Sequence, residues 1–353
     1  MSLGPRQTVV VGATLAITVA SGVLDVTGVS DVATFIVSAV ALAGAAWLVA
    51  LGTETVAEHV GPALTGVVQS ALGNLPEFFV VLFALRAGEV VVAKTSLLGS
   101  VFANGLLVMG AVIVVGARVA PDRIMRFHPR LPRDTTTLLL LAVFTIALLG
   151  LSTYAGVPAG HHQVSVSVVG ALCLLAVFGM WLPQYLRESR EEGVAPTPSA
   201  ASLPMPVGIG LLALGGVSAA FASDWFISAL GPSLTTLHLS RPFAGLVIAA
   251  IAGNAVENVV GVMQAAKGRN DLALSVVLNS VSQVALFLFP VLVLVSLALS
   301  THLTFIVSPV YLGALILTAI VLWQITGDGQ AYAFEGGALI ALYVILALLA
   351  YYG

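Results

Sequence analysis

Gly73-Asn74-Leu75-Pro76-Glu77 and Gly253-Asn254-Ala255-Val256-Glu257 are two copies of one pattern: glycine, asparagine, two spacers, glutamate. The match extends outward from both. Glu77 precedes Ser100 by 23 residues, and Glu257 precedes Ser280 by 23. Ala93, Leu98, Val101 and Leu106 align with Ala273, Leu278, Val281 and Leu286. On the other side, Glu54 precedes Gly61-Pro62 by seven residues, and Asp224 precedes Gly231-Pro232 by seven. The register fails between the Gly-Pro and Gly-Asn elements, where the second copy is ten residues longer. Apolar matches alone would carry little weight in so apolar a chain. Two G-N-x-x-E motifs at equal spacing to a serine are hard to obtain by chance, and they define an internal repeat.

Around the repeat the chain is a membrane protein. Of its 353 residues 59% are hydrophobic and 8% charged, against about 25% charged in soluble domains. The apolar residues come in unbroken runs such as Thr137 to Leu151. That favours helices over barrel strands, which would alternate polar and apolar residues. The expected fold is all-α, with about eleven transmembrane helices near 8–27, 32–52, 62–86, 89–117, 135–153, 163–186, 207–230, 241–266, 271–299, 303–325 and 332–352. The motifs fall on spans three and eight. Five spans separate equivalent positions, so the copies have opposite orientations, the inverted-repeat plan of secondary transporters. The expected division is an extra N-terminal helix (1–30), a first five-helix repeat (31–186), a linker (187–206) and a second five-helix repeat (207–353). Thr8 to Leu24 lacks an A-x-A cleavage site and reads as a span, not a signal peptide.

Loop charge sets the expected orientation. With the N-terminus cytoplasmic, inner segments hold Arg6, Arg118, Arg123, Arg126, Arg130, Arg133, Arg187, Arg190, Lys267 and Arg269, and outer ones only Arg86, Lys94 and Arg241. This is the positive-inside pattern, with the C-terminus on the opposite side of what is expected to be a plasma membrane. The stretch Arg187 to Pro206, charged and then rich in Pro, Ser and Ala, reads as a solvated cytoplasmic linker.

Several functions are disfavoured. Cys173 has no disulfide partner in the chain. The two lysines, Lys94 and Lys267, sit in no phosphate-binding loop, which argues against an ATP-driven pump. No basic patch suggests nucleic acid. The sequence sets no oligomeric state, and a homo-oligomer is allowed.

The motif itself carries chemistry. Span three begins near Pro62, which places Glu77 roughly 22 Å along a helix, inside a ~30 Å apolar core. Glu257, 16 residues after Arg241, reaches a similar depth from the other side. An ionisable group at mid-membrane costs at least about 2.5–3.5 kcal/mol and by default marks a functional site. Asn74 and Glu77, like Asn254 and Glu257, are i, i+3 pairs on one helix face. The preceding glycines, and Pro76 in the first copy, favour a local break that frees carbonyl oxygens. Ser100, Asn104, Asn279, Ser280, Ser282 and Gln283 can add neutral oxygens. Carboxylates with neutral oxygens, and no Cys or His, suit a hard cation such as Ca²⁺. Two carboxylates that hold Ca²⁺ when ionised raise each other's proton affinity when it leaves, so protons and Ca²⁺ compete. On this reading both belong near one two-fold axis, within reach of a single cation. Glu54 and Asp224, near membrane ends, are accessory candidates divided equally between vestibule ligands and solvated helix termini.

At these residues the sequence resembles the cation/Ca²⁺ exchanger superfamily and, within it, the Ca²⁺:H⁺ antiporters. Thr53-Glu54 through Gly73–Glu77 to Ser96-Leu97-Leu98-Gly99-Ser100 is similar to that family's first repeat. Gly253–Glu257 with Asp271-Leu272-Ala273-Leu274 and Gln283-Val284-Ala285-Leu286-Phe287 is similar to its second. The resemblance implies an eleven-span antiporter in which Glu77 and Glu257 carry the ion and the protons. It implies that the carbonyls of Gly73 and Gly253 help coordinate, with Asn74, Asn254, Ser100, Ser280 and Gln283 nearby. Asn258 stands where that branch usually has His, and Asn279-Ser280-Val281 replaces Gly-Ser-Ser. The expected partners are Ca²⁺, H⁺ and the bilayer, and the expected cofactor set is empty apart from the transported ion, Ca²⁺ or Na⁺. Na⁺-coupled Ca²⁺ exchange and Na⁺:H⁺ antiport are the alternatives on this scaffold. An intramembrane enzyme would need a nucleophile–base or metal constellation that the motifs lack.

Overall fold

The computed structural model describes residues 3–57, 59, 72–191 and 203–353. Gly61-Pro62, the first part of the expected third span and most of the linker lie outside the described residues. Among those described, nine helices are long and apolar enough to cross a membrane, or ten if a bent pair is one span. They match the expected spans one, two, four to seven, nine and eleven within a few residues.

Two expected spans differ. The stretch 303–325 is helical only from Pro309, the first residue of Pro309–Thr326. Before it, Leu303, Thr304, Phe305 and Val307 are buried in chain that is neither helix nor strand. Serine hydroxyls hold that chain: Leu303 N–H donates to Ser296 Oγ at 2.8 Å and Phe305 N–H to Ser167 Oγ at 3.2 Å. Apolar composition cannot separate a buried non-helical segment from a buried helix. The stretch 241–266 is not one helix either. Helix Leu230–Leu237 and helical stretch Arg241–Gly253 meet at 114°, and a second helix, Ala255–Ala266, follows a break at Asn254. The 114° corner is His238, whose φ of 54° lies in the left-handed region.

The chain divides into two compact units, Met1–Ser96 with Gly179–Val256, and Leu97–Phe178 with Glu257–Gly353.

In the first unit, Asp31–Ala57 lies along Met205–Ser228. Small residues allow the close approach. A Cβ on Gly52 would meet Leu212 N at 2.7 Å, and one on Gly215 would meet Val49 N at 2.9 Å. Backbones of membrane helices pack this closely only through such residues. Phe35 stacks on Phe226 at 4.6 Å, and Ser21 and Ser38 share a buried hydrogen bond. Val92, Thr95 and Ser96, near the start of Val90–Phe102, pack against Gly245 in the segment Ala244–Ala249, which winds as a π-helix. Arg241 Nε donates to Glu89 Oε2 at 2.8 Å one turn away. A Cβ on Gly245 would collide with Thr95 Oγ1 and stand 2.8 Å from Val92 O. Backbone cannot retreat cheaply, so Gly245→Ala should cost about 1–3 kcal/mol, the usual range for overpacking. A lowered melting temperature of the purified protein is the expected result, and an unchanged one would refute the contact.

In the second unit, Met109–Val119 crosses Ala333–Tyr352 at paired glycines. A Cβ on Gly110 would stand 2.5 Å from Gly336 O. The strands Ile124–Arg126 and Gln330–Tyr332 pair antiparallel. His128 N–H donates to Asp271 Oδ1 at 2.7 Å, and Asn270 Nδ2 to Arg126 O at 2.9 Å. These bonds tie the arginine-rich loop to the start of Asn270–Gln283.

Candidate functional site

The two motifs fold alike at the asparagine. Each asparagine lies in a turn directly before a 12-residue helix, Leu75–Arg86 or Ala255–Ala266. Asn74 has φ −100° and ψ 23°, and Asn254 has φ −99° and ψ 22°. That is close to the sparsely populated bridge region, where many active-site residues sit. The likeness continues at the far ends. Gly88 and Gly268, 180 positions apart like the asparagines, turn both chains with φ of 77° and 71°. The next helices, Val90–Phe102 and Asn270–Gln283, run into π segments at Ala103–Val108 and Val284–Leu288. π turns recur at functional sites.

Each glutamate is the third residue of its helix. There the peptide dipoles present their positive end, which favours a carboxylate by about 0.3–1 kcal/mol, more when partly buried. At the second break the Ala250 carbonyl accepts from both Asn254 N–H, at 3.1 Å, and Asn254 Nδ2, at 2.8 Å.

In the first unit Glu77 is 2% exposed, and Asn74 and Asn254 are equally buried. The Glu77 side chain lies across Gly253: a Cβ there would stand 2.9 Å from Glu77 Cγ and 3.1 Å from Cδ. The carboxylate of one motif thus rests on the glycine of the other. Gly73 is half-buried at the break. Glu54 and Asp224 are exposed on their helices, Asp31–Ala57 and Met205–Ser228.

In the second unit Glu257 is half-buried, and its buried Oε2 has no hydrogen-bond partner among the described residues. Asn104, in the π segment, donates through Nδ2 to Ser280 Oγ at 3.1 Å and to Ser100 O at 3.0 Å. All three are buried. Gln283 is half-buried at the end of Asn270–Gln283. Buried oxygens on Asn258 and Ser282, without hydrogen-bond partners among the described residues, belong to this unit as well. Sequence reading counted Ser282 among its oxygens. It gave Asn258 no role, although a polar residue beside a mid-span glutamate was the available signal. Nothing in an apolar run signals a π turn.

Among the described residues no three His, Cys, Asp or Glu side chains come together as a metal cluster. The donors on offer are single carboxylates, amides, hydroxyls and backbone carbonyls, the oxygen chemistry of hard cations.

Long apolar helices, interrupted where buried carboxylates sit on half-helix ends, define the class: a secondary transporter of ions. Comparison with known proteins gives the family. The sodium/calcium exchanger protein model matches residues 30–183 and 207–352. A Ca²⁺/H⁺ antiporter from Synechocystis sp. is 30% identical over 342 residues, covering 91% of either chain. Among solved structures, native YfkE superposes with a TM-score of 0.82 at 23% identity, over 98% of this chain and 99% of that one. The sodium-calcium exchanger NCX_Mj superposes with 0.56 at 17% identity, over 90% and 97%. This chain belongs to the sodium/calcium exchanger family and, within that superfamily, to the Ca²⁺:H⁺ branch.

Proposed function

We propose that this protein is a secondary antiporter that exchanges Ca²⁺ for H⁺, with Glu77 and Glu257 carrying both ions. The observation that supports this most is Glu77: buried, at a half-helix end, and seated on the backbone of Gly253. Ca²⁺ needs six to eight oxygens, more than carboxylates alone supply. Gly73, Gly253, Asn74, Asn254, Ser100, Asn104, Ser280 and Gln283 are the neutral donors of this reading. Ca²⁺ neutralises the ionised carboxylates. When it leaves, protons replace it, because a bare carboxylate in apolar surroundings is unstable. Each ion therefore expels the other, which is the core of antiport. Ca²⁺ is cargo here, not a resident cofactor.

The finer architecture belongs to the same proposal: eleven spans, two inverted five-helix repeats and a cytoplasmic N-terminus. Backbone angles that recur between the motifs support the repeat, and the loop arginines support the orientation. The Synechocystis relative and others in its group are Ca²⁺/H⁺ antiporters, which supports Ca²⁺ and H⁺ as the exchanged pair. Na⁺-coupled exchange is the second reading, and it rests on the weaker likeness to NCX_Mj.

Purified protein in vesicles separates the two. An imposed pH gradient should drive Ca²⁺ uptake without Na⁺. Uptake that needs Na⁺ and ignores pH would overturn the proposal in favour of the second reading.

A further inference from the structure

Tyr343 carries a phenolic hydroxyl inside the second unit. Its side chain is 3% exposed, and its Oη has no hydrogen-bond partner among the described residues. Buried tyrosine hydroxyls normally find a partner, because leaving one without costs the desolvation of the group. What the hydroxyl faces follows from helix register. Gly336, Leu339, Tyr343, Leu346 and Ala350 form the buried face of Ala333–Tyr352. Tyr343 stands seven residues after Gly336, two helical turns along the same face. Gly336 meets Gly110 and Val114, whereas Ile340 meets Gly110. The two helices are therefore antiparallel, and the next turn, at Tyr343, faces the turn before Gly110. That turn is the π segment Ala103–Val108, against which Ala333–Tyr352 packs.

The π segment bonds out of α-helical register at this level. Met109 N–H bonds to the carbonyls of Asn104 and Leu106 and not to that of Gly105, its α-helical partner. A hydroxyl without a partner thus faces backbone whose ladder is out of register. We propose that Tyr343 Oη and the carbonyls of this π segment hold a buried water, which makes Tyr343 a positioning residue for Asn104. Such waters usually make two to four hydrogen bonds to polar groups that otherwise lack them. Asn104 in turn orients the hydroxyl of Ser280. The effect of Tyr343 on transport rests on the proposed function; the water itself does not.

Tyr343→Phe tests both, since phenylalanine keeps the ring and removes only the hydroxyl. Backbone hydrogen exchange over 103–109, the melting temperature and Ca²⁺ uptake are compared with the original protein. The expected result is exchange several-fold faster in that segment, a lower melting temperature and uptake slowed several-fold. Unchanged exchange with an equal or higher melting temperature would mean an orphaned hydroxyl, and would overturn the water. Faster exchange with unaltered uptake would overturn the positioning role. If the original protein moves no Ca²⁺ at all, the proposed function fails, yet exchange and melting still decide the water.

Discussion

Glu77→Gln should abolish cation exchange and leave the fold intact, and Glu257→Gln should do the same. Glutamine keeps the volume and one carbonyl oxygen. It can neither ionise nor carry a proton, so both halves of the cycle fail together. Residual activity at or below the vesicle background is expected for each variant. The fold should tolerate the change because burying a carboxylate costs more than burying an amide. Melting temperatures equal to or above that of the original protein are therefore expected. Uptake assays alongside melting curves check both statements. Two variants that still transport would defeat the assignment of these glutamates, whatever the family.

Gly253→Ala should be nearly as severe for transport, by another route. A methyl at this position would stand 2.9 Å from Glu77 Cγ, so the glutamate must move. Ångström-scale displacement of a reacting group can cost about a hundredfold in rate. Transport should therefore fall at least tenfold, while stability falls by only about 1 kcal/mol, because a side chain and not backbone gives way. The contrast with Gly245→Ala is informative, since there the obstacle is backbone and stability should suffer more. If Gly253→Ala transports normally, the contact between glycine and carboxylate has no functional weight.

Much of this was legible in the sequence. The G-N-x-x-E motifs picked out Glu77, which is buried, and Glu257, which is half-buried, and glycine before asparagine announced breaks that the backbone shows at Asn74 and Asn254. The serine spacing picked out Ser100 and Ser280, both buried beside Asn104. Other features left no trace, and the reasons are physical. π turns use the same apolar residues as α turns, so Ala103–Val108 and Val284–Leu288 look like plain helix. The 114° corner before Arg241 depends on His238 adopting a left-handed conformation, which side-chain chemistry does not announce. Leu303, Phe305 and Val307 sit in a largely apolar run continuous with the helix that follows, so hydropathy reads it as part of a span. Gly245 against Val92 and Gly253 against Glu77 are long-range contacts, and only the folded chain brings them together.

The breaks at Asn74 and Asn254 also bear on how the protein is made. Each following helix has 12 residues, a length of about 18 Å, well short of a ~30 Å apolar core. Neither can leave the translocon as a self-sufficient segment, because its glutamate and its unsatisfied end would face lipid. Each is joined by a tight glycine turn, Gly88 or Gly268, to a long apolar helix that follows directly. Insertion of each glutamate is therefore expected to depend on the long apolar helix that follows it, Val90–Val119 for Glu77 and Asn270–Ala298 for Glu257.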